Sequence, residues 1–491
     1  MSERTQGLLA AVPAEPRGDG PAWLKGLRQE AATALHERGF PGKKHESWRF
    51  TSVRDVVGTT YETASLEAVS PETASADAWV QQTLGDDGTF RVVLTEGRFT
   101  GAEGVPAGVS VRSLAEVLRE EPALVEPVLG KLAPTEHFAA LSSALFEDGA
   151  VVVVEKNAVV ETPIHLVHVA SPGASPKASY PRVVVIAREG SQAKVVESFL
   201  TREGDEKHLT NTVCEVQVGA NARLEHVRIT EGTEQALQLA YLSVGLDRDA
   251  FYGSRVVTLG GGLSRLELTA RFDGPGSEVS LDGVYHVGGA EHVDHQVRVE
   301  HAAGHCTSHV RYRGLLDGRG HAVFNAMGIV KKDAQQSAAH QENRNLLLSD
   351  DATIDTKPHL EIDADDITAS HGATIGTVDE SSLFYMRSRG IPETQARDIL
   401  TFAFVRELID RVAHAPLVKR ASDRVHDRLP HVDAIRELTE AESSPPSPPI
   451  GPSPPSTPSA CGATSPRCTS RSTASRSSTS TARRRRSSRR S

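Results

Sequence analysis

The chain has 491 residues, of which 38% are hydrophobic and 24% charged, and it is long enough to form two or three domains with a sizeable buried core. Its formal net charge of −10 argues against a nucleic-acid-binding surface. It has neither a run of 18 apolar residues nor a basic, apolar leader, so we expect a cytoplasmic protein that is not secreted and does not span a membrane.

The N-terminal region, residues 1–147, is predicted to be mostly helical. In residues 22–38 the apolar side chains recur at helical spacing, and Gly39 ends the run. Residues 113–146 show the same spacing, although prolines divide that segment into short pieces.

The pattern changes at residue 148, where short alternating apolar runs predict strands instead of helices. Weak turn signals recur in two interleaved series with a step of about 28 residues, a spacing typical of stacked coils. The two series are Gly190, Gly219, Asp249, Gly276 and Gly304, and Gly232, Gly262, Gly289 and Gly318. A β-sandwich would also contain many short strands, but it gives no reason for a constant step. We therefore predict a mainly β fold with a parallel β-helix core at 148–385 between α-helical regions that cover its ends.

Residues 386–442 are predicted to form a C-terminal helical domain. Pro392 suits the first turn of a helix that extends to residue 414 and has a broad apolar face. The tail, 443–491, is rich in proline, serine and arginine, cannot bury a core and is predicted to be disordered. It is a plain linker, an arm for nucleic acid or membrane surfaces, or a non-native extension, and we assign it no function.

A histidine-rich segment suggests a metal site at first sight. Its members are His286, His292, His295, His301, His305, Cys306 and His309. On a strand, residues of opposite parity point to opposite faces, so His292 cannot share a face with His295. We therefore predict solvated or hydrogen-bonded histidines rather than a metal centre.

Common catalytic motifs are missing from the chain. No GxxxxGK[ST], GxSxG or HExxH pattern occurs, so a nucleotide-driven motor would have to be another chain. The four cysteines form no CxxC pair and predict neither a disulfide framework nor a closed zinc site. An acidic group could serve a β-helix enzyme that acts on carbohydrates, which is our alternative function, although a solvated turn explains these acids more simply. The group comprises Glu361, Asp363, Asp365 and Asp366.

The stretch ASHGATIG contains one histidine, His371, between small residues. One imidazole cannot hold iron or zinc without further ligands. If His371 serves a metal, the simplest arrangement is a site shared with a second chain, which would contribute the thiolates that iron–sulfur chemistry requires. A structural histidine is the alternative.

Three parts of the sequence resemble the SufB and SufD family of iron–sulfur cluster assembly proteins. They are KHESWRFTSV at 44–53, the long segment 293–391 and the helix that follows it. The resemblance covers about residues 20–430. It implies a right-handed parallel β-helix that pairs with SufB, and a C-terminal helical domain that docks the SufC ATPase. SufC would then supply the motor that this chain lacks.

Within the family, the chain resembles the SufD branch. SufB carries QxCDSLL and EHEATTS where this chain has QENRNLLL and SHGATIG, so the SufB cysteine falls on Asn343. Some SufD proteins have a cysteine two residues before the histidine, at the position of Ala369. The resemblance therefore implies a non-catalytic scaffold subunit without a thiolate at either position.

The same resemblance implies roles for particular residues and groups. The functional histidine of the family falls on His371, which would bind a nascent, transient iron–sulfur cluster at the SufB interface. A reduced flavin in the complex is a candidate cofactor, and we expect no nucleic-acid or membrane partner. The SufC-docking helix is expected to use Pro392, Ile399, Leu400, Phe402, Phe404, Val405 and Leu408.

Overall fold

The computed structural model describes residues 7–15, 20–63, 71–102, 104–171, 173–412 and 414–429. They belong to one compact unit, Met1–Thr439, and a second unit comprises Glu440–Ser491. The predicted tail, 443–491, and the end of the predicted 386–442 domain lie outside the described residues.

Helices occur near both ends of the described chain, and strands occupy its middle. The helices are α1 (Ala22–Arg38), α2 (Arg54–Gly58), α3 (Pro71–Leu84), α4 (Leu114–Glu120), α5 (His137–Leu145), α6 (Glu380–Ser388), α7 (Glu393–Ile409) and α8 (Ala415–His426). Short 3-10 turns lie at Leu9–Ala11, Glu46–Trp48 and Pro122–Leu124. None of the described helices is long and apolar enough to cross a bilayer.

The strands are β1 (Glu62–Thr63), β2 (Phe90–Thr95), β3 (Arg98–Phe99), β4 (Val109–Ser113), β5 (Gly149–Val154), β6 (Ile164–Ala170), β7 (Lys177–Ser179), β8 (Arg182–Ala187), β9 (Gln192–Thr201), β10 (His208–Val218), β11 (Arg223–Gly232), β12 (Ala236–Leu246), β13 (Phe251–Gly260), β14 (Leu263–Phe272), β15 (Glu278–Val287), β16 (His292–His301), β17 (Thr307–Leu316), β18 (His321–Val330), β19 (Ser337–Leu347), β20 (Thr353–Ile362) and β21 (Ile367–Gly376). From β8 onward they alternate between two parallel sheets. Sheet A has the order β20-β18-β16-β14-β12-β10-β8-β5-β4, and sheet B has the order β21-β19-β17-β15-β13-β11-β9-β6-β2-β3.

This alternation makes the middle of the chain a parallel β-solenoid, as predicted. Arg223 pairs in register with Phe251, Phe251 with Glu278, and Glu278 with Thr307, at separations of 28, 27 and 29 residues. The step in the turn signals is therefore the length of one coil. The predicted mainly β fold with helical ends is confirmed.

The solenoid core consists of columns of apolar side chains, one from each coil. Val185, Val216, Val244, Ala270 and Val299 follow one another in register across sheet A, and all are buried. Because side chains alternate along a strand, every second residue points inward and stacks on its counterpart in the next coil. The intervening residues form an outer face on each sheet, and these faces also have to be covered.

The N-terminal region covers the outer face of sheet A with α1, α4 and α5. The segment 44–53 is part of this attachment. Trp48 is buried, with the guanidinium of Arg265 3.6 Å from its ring centroid, and Arg265 forms an ion pair with Asp294. Thr51 also donates a hydrogen bond to Asp294, at 2.5 Å. This region further contains β2, β3 and β4, which extend the two sheets and were not predicted from its helical patterning.

A buried carboxylate fixes the loop 130–133 on sheet A. The Glu215 carboxylate accepts hydrogen bonds from all four backbone N–H groups of this loop, at 2.9 to 3.1 Å. It also accepts one from Arg182 at 2.6 Å, and both side chains of this ion pair are fully buried. The Glu215 carboxylate therefore occupies an anion-binding nest formed by the backbone N–H groups of this loop.

The C-terminal helices cover the outer face of sheet B. Apolar residues of α7 and α8 pack on that sheet in one buried cluster. Arginine contacts add to the attachment, because Arg313 donates to the Phe404 carbonyl at 2.5 Å and to Glu407 at 2.5 Å. Arg420 and Arg424 both bind Glu231, at 2.8 and 2.9 Å.

The two ends of the solenoid differ. At the N-terminal end, β4 pairs antiparallel with β5 and β3 pairs antiparallel with β2. At the other end, the last described strands are β20, paired only with β18, and β21, paired only with β19. We call β20 and β21 the open coil, since each has one edge with no further described strand.

Candidate functional site

His371 lies on the open coil, in the middle of β21. It pairs in register with Gln341 on β19, whose side chain is buried on the inner side of sheet B. His371 therefore has the inward orientation, but no later coil among the described residues covers it and its side chain is exposed. The alternation of the strand and the end of the solenoid together present this imidazole to solvent.

The open coil also exposes apolar side chains, which a cap normally covers at the end of a solenoid. Ile375 lies on the same face of β21 as His371 and is 51% exposed. Ile362, at the end of β20, is 43% exposed. Exposed strand edges with apolar side chains are templates for pairing with another chain. These features favour an interface at the open coil.

The described part of the chain places no ready set of metal ligands around His371. Among the described residues, the one group of three or more His, Cys, Asp or Glu side chains close enough for a metal ion is Glu197, Cys214 and His226, none of them on the open coil. Asn343 is buried and donates to the Tyr285 hydroxyl at 3.1 Å. A metal or cluster at His371 would need ligands from elsewhere.

The histidine-rich segment is divided between faces, as the parity argument predicts. His292 lies under the N-terminal region, with its Nε2 2.9 Å from Thr51 Oγ1. His295 lies inside the solenoid between the rings of Tyr285 and Tyr312, and its Nε2 is 3.1 Å from Thr258 Oγ1. These imidazoles are packed and hydrogen-bonded in separate places.

These histidines should make the stability of the protein dependent on pH. Burial lowers the pKa of His286 to about 3 and that of His292, His295 and His301 to about 4. Unfolded histidines titrate near 6.5, so the unfolded state takes up protons first as the pH falls. We expect the free energy of unfolding to be highest above about pH 6.5 and to fall towards pH 4, by up to roughly 1.4 kcal/mol per pH unit for each histidine.

Urea unfolding followed by circular dichroism between about pH 7.5 and 5 tests this expectation. The variant His295→Gln should show a shallower pH dependence than the original chain, since one of the four groups no longer titrates. Equal slopes for the two proteins would contradict the assignment of the effect to these imidazoles.

The predicted docking residues fall into two groups in the structure. Phe402, Val405 and Leu408 are buried against sheet B. Pro392 is exposed, and Ile399, Leu400 and Phe404 are partly buried. The largest exposed aromatic surface on these helices lies instead on α6, where Phe384 is 72% and Tyr385 58% exposed. Helical periodicity did not single out this pair, although two adjacent aromatics in a polar segment are a recognisable signal.

The acidic residues between β20 and β21 lie in an exposed turn. Asp363, Asp365 and Asp366 are all exposed, and the Asp366 carbonyl accepts a hydrogen bond from the Gln336 backbone at 2.6 Å. Nothing in the described residues favours the alternative function, a β-helix enzyme that acts on carbohydrates.

Comparisons with known proteins show similarity to one family over most of the chain. Residues 18–166 match the family described as "SufBD protein N-terminal region", and residues 168–404 match "SUF system FeS cluster assembly, SufBD core domain". The chain is 28% identical over 409 residues to the iron–sulfur cluster assembly protein SufD of Escherichia coli (strain K12), covering 82% of this chain and 92% of that protein.

Two further relatives agree with this similarity. The Bacillus subtilis (strain 168) protein of the same name is 26% identical over 407 residues, which covers 80% of this chain and 91% of that protein. An iron–sulfur cluster assembly SufBD family protein of Mycobacterium bovis is 32% identical over 315 residues, covering 62% of this chain and 77% of that protein.

Proposed function

Because the chain belongs to the SufBD family as a SufD-like iron–sulfur cluster assembly protein, we propose that it is a non-catalytic scaffold subunit that shares a nascent cluster with SufB. In this role the cluster is cargo, assembled at the interface and passed on. We further propose that the protein works in the cytoplasm, and a reduced flavin stays a candidate cofactor of the complex.

The observation that carries this proposal is the position of His371 on the open coil. An exposed imidazole on this inner face is available to a metal, and the described residues give it no companion ligands. Neutral imidazole nitrogen is a good ligand for iron, but cluster assembly also requires thiolates. A partner that pairs with the open coil and carries a cysteine would complete the site, which is the reason for placing SufB there.

We propose that the open coil is the SufB-pairing surface and that α6 to α8 dock SufC. The exposed edges of β20 and β21 offer backbone hydrogen bonds, and Ile362 and Ile375 offer apolar contacts. On the helices, the exposed pair Phe384 and Tyr385 joins the residues predicted from the sequence. The buried members of that set, such as Phe402, would support the docking surface by holding α7 on the solenoid.

The attachment of α7 suggests how ATP-driven closure of two SufC subunits would reach the cluster site. Arg313 on β17 binds both the Phe404 carbonyl and Glu407 of α7. A movement of the docked helix would therefore pull on sheet B, which also contains β21 and His371. In this proposal closure exposes or assembles the shared site.

Co-purification with tagged SufB and SufC tests the two surfaces separately. The variant Ile375→Lys should weaken retention of SufB while SufC stays bound, because a charge is placed at a desolvated strand edge. The double variant Phe384→Ser and Tyr385→Ser should do the reverse. We expect each loss to be roughly 30-fold in affinity, as for a large apolar anchor.

Each variant serves as the control for the other, since the two surfaces belong to different elements. Loss of both partners from either variant, or retention of both, would contradict the division of roles. Full retention of iron and sulfide by the complex lacking this chain would overturn the proposed function itself.

A further inference from the structure

A group of metal-ligating side chains lies inside the solenoid, on strands other than that of His371. Glu197 on β9, Cys214 on β10 and His226 on β11 all point inward and are buried. One ligand atom of each lies within 4.8 Å of the other two. Four strands of sheet B lie between β11 and β21, so this group, the inner triad, is separate from the open coil. We propose that the inner triad binds one divalent transition metal ion, of the Zn²⁺ or Fe²⁺ type.

His226 has the orientation expected of a metal ligand. Its Nδ1 is 2.9 Å from the Tyr252 hydroxyl, which fixes the ring. Its Nε2 is buried, faces Glu197 Oε2 at 3.2 Å and has no well-aligned hydrogen-bond partner among the described residues. Ligating histidines usually hydrogen-bond through one ring nitrogen and present the lone pair of the other to the metal. The Tyr252 contact is such an orienting bond.

Glu197 supplies an ionised carboxylate. Burial opposes its ionisation, but Arg228, His168 and His226 together hold its pKa well below the usual value. Arg228 Nη1 is 2.8 Å from Oε2, and His168 Nε2 is 3.2 Å from Oε1. In the metal-free protein Arg228 therefore neutralises this carboxylate, so a metal ion would compete with the guanidinium for Oε2.

Cys214 completes a mixed sulfur, nitrogen and oxygen set. Burial raises the pKa of its thiol well above the usual value, so the group is a neutral thiol when no metal is bound. Metal binding would replace the proton on Sγ by the metal and release that proton to solvent. One thiolate and one carboxylate then offset the two charges of a divalent ion, while the buried Arg228 guanidinium keeps its own positive charge beside them. Such a ligand set suits Zn²⁺ or Fe²⁺ and not Mg²⁺ or Ca²⁺, which prefer oxygen.

The chain offers a matched control thiol. Cys306 is also buried, but its sulfur lies 3.5 Å from the Gly274 carbonyl and 3.4 Å from the Gly304 carbonyl, with no metal-ligating group of three around it among the described residues. The tail cysteines, Cys461 and Cys468, lie outside the described residues and are replaced by serine in the test protein. Cys214 and Cys306 are then the remaining thiols.

Cobalt is a suitable probe, because a thiolate bound to Co²⁺ gives a charge-transfer band. We expect the full chain with both tail cysteines replaced, produced with Co²⁺ present throughout folding, to bind about one Co²⁺ and show this band. Cys306→Ser should retain the band, and Cys214→Ser should reduce bound Co²⁺ roughly tenfold or more. Elemental analysis after growth with Zn²⁺ or with Fe²⁺ then identifies the preferred ion.

Absence of the band from the parent protein, or its persistence in Cys214→Ser, would overturn the proposal and leave the inner triad as a buried hydrogen-bond network. If Cys214→Ser does not fold, as judged by circular dichroism, His226→Gln is the second test. It preserves a polar side chain near Tyr252 and removes the imidazole ligand, and bound Co²⁺ unchanged in this folded variant would equally overturn the proposal.

Discussion

Replacing His371 by alanine is expected to lower the yield of iron–sulfur cluster on the assembled complex roughly tenfold or more, while the complex itself still forms. The side chain is exposed on β21 and belongs to no buried cluster, so its removal should not affect folding. The variant loses a nitrogen ligand, and the described residues place no other group of metal-ligating side chains on the open coil to replace it. The measurement is iron and sulfide content, with the visible absorbance of the cluster, after anaerobic reconstitution with SufB and SufC.

His340 provides the matched control for this experiment. It is a partly buried histidine on the neighbouring strand β19, it has the opposite orientation, and its Nδ1 is 2.8 Å from Ser370 Oγ. His340→Ala should leave the cluster yield unchanged. A second variant, His371→Cys, should recover part of the yield, because a thiolate is also an iron ligand. Equal yields from His371→Ala and the original chain would refute the role of this residue.

The second large effect concerns the buried ion pair beneath the N-terminal region. Glu215→Ala is expected to lower the free energy of unfolding by roughly 3 to 5 kcal/mol. The substitution leaves the Arg182 guanidinium buried without its carboxylate, and it removes the acceptor of four backbone N–H groups in the loop 130–133. Denaturant unfolding of the full chain measures this change directly.

Two further variants separate the charge from the hydrogen bonds at this position. Glu215→Gln keeps a carbonyl oxygen in the nest and should cost less than the alanine variant. Glu189→Ala removes an exposed carboxylate that pairs with Lys156 and should leave the unfolding midpoint unchanged. If Glu215→Ala were as stable as Glu189→Ala, the buried pair would not be what holds the loop on sheet A.

The fold could be predicted from the sequence largely because a solenoid repeats. Gly190 and Gly219, like Gly276 and Gly304, mark turns in successive coils, and the register of the strands reproduces their spacing. The strands β2 to β4 were missed because they lie outside the repeating part and are short. Their pairing depends on coils that come later in the chain, which local patterning does not reveal.

The site was predicted less completely, because exposure depends on where the coils end. The same local sequence in a middle coil would bury the imidazole of His371, which is exposed here because β21 is the last described strand of its sheet. The broad apolar face of α7 predicted a contact but not its partner, since the same periodicity serves packing on the solenoid and docking of another chain. The three residues of the inner triad come from three different strands, and periodicity alone does not predict that their side chains meet.

The unequal ends of the solenoid limit how such chains associate. A stack of coils with two free ends would add copies at both and grow into filaments, as open heterologous contacts do. In this protein the N-terminal end of the stack ends in two antiparallel pairs, β4 on β5 and β3 on β2, and the open coil lies at the other end. If association uses the open coil alone, as we propose, it joins two chains and does not continue, because each chain then offers one such end.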